Sequence, residues 1–169
     1  MSVRALCLDP HPVLRRTAQR IDTFTNDVRR LAREMIETMY ANDGIGLAAP
    51  QIGEGIQLFV ANPSHRRGQE LVVTNPVLAA TRGRAAVIEG CLSLPHIWER
   101  VVRAAHVRLT GQDIWGRPLT LETQGVLAIV LQHEVDHLQG RLFIDRLSWP
   151  RRCRVAVYRM VAGRRRSRQ

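Results

Sequence analysis

Residues 123–138 read TQGVLAIVLQHEVDHL, and their reading decides the fold. The run VLAIVLQ is apolar on nearly every side of a helix, so the segment is expected as a helix buried at the centre of the molecule, with Gly140 as its C-terminal stop. Into this apolar setting the sequence places His133, Glu134, Asp136 and His137. Burying four such groups costs several kcal/mol unless they are paired or hold a metal. His133 and His137 stand at i and i+4, one above the other on one helical face, the separation a single ion needs. Glu134 follows the first histidine directly, close to such an ion without ligating it and placed to shuttle a proton.

A catalytic metal takes three protein ligands and keeps one position open, so the third ligand decides the chemistry. A metzincin-type protease would need a histidine six residues beyond the second; position 143 is Phe. A gluzincin-type protease would need a downstream Glu; after His137 the only acid is Asp145. Upstream, Cys91 lies in the stretch Glu89-Gly90-Cys91-Leu92-Ser93-Leu94-Pro95. A thiolate with two imidazoles makes a soft tetrahedral site suited to zinc or ferrous iron. A lone cysteine also reads as a small buried hydrophobe, and that is the reading for Cys7 and Cys153.

Working outward, residues 26–41 form an amphipathic pattern with Val28, Leu31, Met35, Ile36 and Met39 on one face, ended by Asn42-Asp43-Gly44. A glycine-rich apolar loop, GIGLAAPQIGEG, follows at 44–55. Short strands are expected at 4–8, 56–60, 71–74, 77–79, 101–102 and 107–109, with turns at Asn62-Pro63, Asn75-Pro76 and 111–116. The class is α+β: small antiparallel or mixed sheets around a buried helix that carries HExxH.

The chain has 169 residues, 45% hydrophobic and 24% charged. That length fits one domain, burying roughly 70% of its unfolded surface. No apolar run reaches the roughly 20 residues of a membrane-spanning helix. Three cysteines in no paired spacing point away from a disulfide framework and toward a reducing compartment. The opening MSVRALCLDPHPVLRR reads as neither signal nor transit peptide, so a cytoplasmic location is expected.

All 25 basic residues are Arg. Residues 1–145 hold 16 of them against 15 acids, whereas 146–169 hold nine and no acid. The body is nearly neutral and the tail is a polycation. Within the tail Cys153, Ala156, Val157, Met160 and Val161 recur at helical spacing, expected as a stripe docked on the body. Arg152, Arg154, Arg159 and Arg164–Arg166 surround or follow it, and their exposed charge could meet phosphates, RNA above all.

Three stretches carry a resemblance to a known family: Gly44-Ile45-Gly46-Leu47-Ala48-Ala49-Pro50-Gln51, then Glu89 to Ser93, then Gln132 to His137. In that order and spacing the chain resembles a bacterial-type peptide deformylase over roughly residues 4–148, supported by Pro12–Arg15 and Arg141–Leu147. The resemblance implies a deformylase catalytic domain at 1–148 with a basic helix or tail at 149–169. It implies a metal held by Cys91, His133 and His137, Fe²⁺ with Zn²⁺, Ni²⁺ or Co²⁺ as substitutes. Glu134 would carry the proton, and the Gln51 amide and Leu92 N–H would face the oxyanion as formyl is removed from an N-formylmethionyl peptide. Ile45, Gly46, Val87, Glu89, Val126, Ile129 and Val130 would bind substrate, with Asp136 and Arg103 orienting a ligand. A monomer is implied, with ribosome or rRNA contact through the tail. His96 and Trp98 depart from the family pattern; Trp98 is a candidate wall of the peptide groove.

Overall fold

The structure, a computed structural model, describes residues 2–166, and their side chains as far as Tyr158. Helix α1 (Asn26–Ala41) starts where the Thr25 hydroxyl accepts the Val28 N–H. It ends as Asp43 takes a left-handed conformation (φ 52°). Met35 and Met39 are fully buried, and Val28, Leu31 and Ile36 pack beside them, so the expected apolar face is the one the helix buries.

Five strands form one antiparallel sheet in the order β1 (Gly46–Ala48), β2 (Leu58–Ala61), β3 (Leu71–Arg82), β6 (His106–Gln112) and β7 (Pro118–Gln124). The four residues of β2, Leu-Phe-Val-Ala, are all buried because both faces are covered. Leu58 and Val60 pack toward α1, while Phe59 and Ala61 pack toward α2 (Gly125–Leu138). Helix α2 contributes Ala128, Leu131, Val135 and Leu138 to that second core, which sets it centrally as its sequence requires. No helix among the described residues is long and apolar enough to cross a membrane.

A separate two-stranded hairpin, β4 (Ala85–Cys91) and β5 (Leu94–Arg103), turns at Leu92-Ser93. It rests on a third apolar cluster with Leu14, the 3-10 turn Phe143–Arg146, and Val155 of helix α3 (Trp149–Arg166).

Several expectations need correction. Residues 4–8 join no ladder: Arg4, Cys7 and Asp9 donate their N–H groups to Thr38, Gln51 and Ser93, three different elements, so this segment straps the fold without forming a strand. Asn75-Pro76 lies inside β3 as a register shift, not a turn. The loop 44–55 contains β1 and a 3-10 turn, Ala49–Ile52. The docked face of α3 is not Cys153, Ala156 and Val157, which are exposed; Val155 is buried, and Arg151 and Arg154 reach Glu99 while Arg152 reaches Asp145. The side chains of Arg159, Met160, Val161 and Arg164–Arg166 lie outside the described residues.

Candidate metal centre

Helix α2 divides its surface among three tasks. Ala128, Leu131, Val135 and Leu138 enter the core. Val126, Ile129, Val130, His133 and His137 run along a second stripe at i, i+3, i+4, i+7 and i+11. Gln132 and Asp136 make a third face turned toward the end of β5. There the Ala104 N–H donates to Gln132 Oε1 (2.9 Å) and Gln132 Nε2 donates to the Ala104 carbonyl (3.0 Å).

The two imidazoles present their Nε2 atoms to each other at 3.2 Å, and Cys91 Sγ lies 3.2 Å from His137 Nε2. All three ligand atoms lie within 4.8 Å of one another. Two Nε2 atoms and a sulfur converging on one point fit a tetrahedral divalent ion, because a thiolate and neutral imidazoles are donors without competing protons. Phe143, where a metzincin would carry its third histidine, stacks against the His133 ring with centroids 6.1 Å apart and 23° between planes.

The glutamine of the glycine-rich loop is buried beside the sulfur. Its Oε1 accepts the Ala48 N–H (2.8 Å), which turns Nε2 toward Cys91 Sγ (3.5 Å) and Ser93 Oγ (3.3 Å). Glu134 is 3% exposed. Burial pushes its carboxyl up to about 7. Val130 and Glu134 both lie against Gly46 in β1. Leu92 follows Cys91 in the hairpin turn, its side chain against Gly44.

Glu89, expected to bind substrate, has its carboxylate engaged by other side chains of the site. It is buried, with Oε2 2.9 Å from His133 Nδ1 and both oxygens held by Arg103 Nε (2.7 Å) and Nη2 (2.9 Å). Burial would raise its pKa, but the hydrogen bonds from Arg103 and His133 outweigh it and hold the carboxyl at about 2. Arg103 Nη1 continues to Asp136 Oδ2 (2.5 Å), and Asp136 also binds Arg146. Arg146 and Phe143 join the site without a sequence signal of their own: Arg146 lies in a stretch that only resembles the family, and Phe143 stands where a metzincin would carry a ligand.

Ile45 and Val126 are exposed, Val87 and Ile129 half-buried and Val130 buried. Trp98 is 70% exposed and lies over Gly90, where a β-carbon would stand 2.7 Å from its ring. His96, also exposed, holds a φ of 64°.

The family model described as polypeptide deformylase matches residues 3–152. A peptide deformylase of Nitrosococcus oceani is 44% identical over 146 residues, covering 86% of this chain and 87% of that protein. The chloroplastic peptide deformylase 1B of rice is 46% identical over 82% of this chain; the chain spans 53% of that longer relative. Among solved structures, a peptide deformylase from Legionella pneumophila superposes with a TM-score of 0.92 at 35% identity, covering 99% of both chains. The Thermus thermophilus peptide deformylase gives 0.89 at 44% identity, covering 94% of both.

Proposed function

The chain belongs to the polypeptide deformylase family, and from that premise we propose how its own residues remove the formyl group from N-formylmethionyl peptides. It is a metal-dependent hydrolase, and formate and a free amino terminus are its products. Cys91, His133 and His137 hold the ion; their convergence within 4.8 Å, with the buried Glu134 alongside, is the observation that carries the reading. When bound, a divalent ion polarises the formyl carbonyl and lowers the pKa of a water.

Glu134 takes the proton of the attacking water and passes it to the departing amine, a task suited to a carboxyl whose pKa is about 7. The Gln51 amide, locked by Ala48, and the Leu92 N–H face the oxygen on which negative charge develops. Strand β1 is an edge of its sheet, so Gly46 offers backbone to a substrate lying alongside as an added strand. The methionine side chain fills the apolar wall of Ile45, Val87, Val126, Ile129 and Val130. Glu89, fully engaged behind His133, orients that ligand instead of touching substrate.

Fe²⁺ is the native ion by resemblance to the family, and the thiolate-imidazole donor set accommodates it as it does Zn²⁺. Residues 1–148 make the catalytic unit, and 149–169 a basic appendage that meets ribosomal RNA phosphates, supported by its nine-Arg excess with 146 included. The protein works as a monomer in the cytoplasm; its three cysteines are free thiols.

Formate release from an N-formylmethionyl dipeptide by anaerobically purified protein tests the reaction. Release that requires Glu134 and spares the N-acetyl analogue is expected. No release from folded, metal-loaded protein would overturn it.

A further inference from the structure

The ligands assigned above come from two bodies that belong to different apolar cores. Helix α2, with both histidines, packs into the cluster against the five-stranded sheet. The β4–β5 hairpin, with Cys91, packs through Leu94, Ile97 and Val101 onto the cluster of Leu14, Leu147 and Val155. An apolar contact bridges the bodies at the ligands, Phe143 stacking on His133, but it is not directional enough to fix the separation of sulfur from imidazoles.

What crosses between the bodies is a closed circuit of buried charge. His133 Nδ1 meets Glu89 on β4 (2.9 Å), and Glu89 is clasped through both oxygens by Arg103 on β5. Arg103 reaches Asp136 on α2 (2.5 Å), and Asp136 lies one helical turn from His133. Arg103, Glu89 and Asp136 are 4%, 6% and 2% exposed. Such a buried network roughly breaks even for stability against apolar replacements, so stability alone does not account for it. Its geometry does. A guanidinium holds its donors in one rigid plane, with Nε and Nη2 on Glu89 and Nη1 on Asp136, which fixes the distance from hairpin to helix.

We infer that Arg103 is a positioning residue, a strut that ties Glu89 to Asp136 and so sets Cys91 against His133 and His137 independently of any ion. The inference rests on the ligand set given under the proposed function. The Gln132 amide, clamped on Ala104, anchors the foot of the strut to α2. A lysine at 103 would keep one charge but could not hold three acceptors in fixed directions.

The test uses Co²⁺-loaded full-length protein, whose thiolate-to-cobalt charge-transfer absorption reports Cys91 directly. Two variants are compared with the native chain: Arg103→Lys, and the combined Glu89→Gln, Arg103→Met, Asp136→Asn, which removes the strut while leaving none of these three charges unpaired. Both are expected to unfold cooperatively, to lose most of the thiolate band, and to release Co²⁺ to a chelator about 10- to 100-fold faster. Full band intensity in both, with release rates unchanged from native, would overturn the strut. If the native protein itself shows no thiolate band, and Cys91→Ala changes nothing, the ligand set falls and the strut with it.

Discussion

A β-carbon on Gly46 would stand 2.3 Å from Oε1 of Glu134. The strand proposed to offer its backbone to substrate and the carboxylate proposed to move the proton thus occupy adjoining space only because residue 46 has no side chain. The nearest obstacle is the end of the Glu134 side chain, with Val130 Cγ1 next at 2.9 Å, so a substitution displaces the carboxylate first and also presses on a buried valine.

Gly46→Ala is therefore expected to fold, to keep its metal, and to lose about 10²- to 10⁴-fold in kcat, the range for misplacing a general base. Single-turnover kinetics beside metal analysis checks it; native kcat would mean that Glu134 does not need that position.

Gln51 accepts from Ala48 through Oε1 and donates toward Cys91 and Ser93 through Nε2, so replacing it has two separable effects. Gln51→Met removes the donor proposed to face the oxyanion and should lower kcat about 10²- to 10³-fold. It also leaves the buried Ala48 N–H without its acceptor, which costs about 1–3 kcal/mol in a denaturant titration. A loss of stability with unchanged kcat would confine Gln51 to a structural role.

Glu89 has a folded-state pKa near 2 against an ordinary value of 4.5. Between these values the unfolded chain binds the proton that the folded chain refuses, so stability rises with pH across this window. The contribution, about 3 kcal/mol, is fully present above pH 4.5 and lost as pH falls through about 2. Denaturant titrations of native protein and Glu89→Gln through that window should show a steeper acid loss for the native chain. Parallel curves would refute the assignment.

Iron held by a thiolate exposes Cys91 to oxidation once air is admitted. Iron-loaded protein should lose activity in air with added oxygen on Cys91 detected by mass spectrometry, while zinc- or nickel-loaded protein should not. Equal persistence of the iron form in air would argue against Fe²⁺ as the native ion.

The central helix and its two histidines were legible because a helix interior fixes which residues share a face, and i and i+4 is a local relation. The same rule misled at α3. Periodicity groups Cys153, Ala156 and Val157 but does not say which side meets the body; Val155 and the pairing of Arg151 and Arg154 with Glu99 decided that. Most of the β4–β5 hairpin went unread because it leaves Ile88 and Trp98 in solvent and turns at Leu92-Ser93, without glycine or asparagine. Strand β7 alternates Leu119 and Leu121 with polar residues, but its end was read as the start of the helix. Glu89 looked like a substrate contact because its motif carries Cys91. Its engagement behind His133 depends on Arg103, 14 positions on, and through it Asp136, 33 beyond that, partners no local pattern links.

Strand β1 is three residues long and stands at the rim of its sheet. Three residues span about 10 Å, enough to grip the main chain of only the first few units of a guest peptide. Main-chain pairing reads no side chain, so in the proposed reading selectivity rests chiefly on the apolar wall beside the reacting end. An enzyme built this way is indifferent to what the rest of a protein encodes. One catalyst can then serve an entire proteome, inspecting how each chain begins and ignoring how it continues.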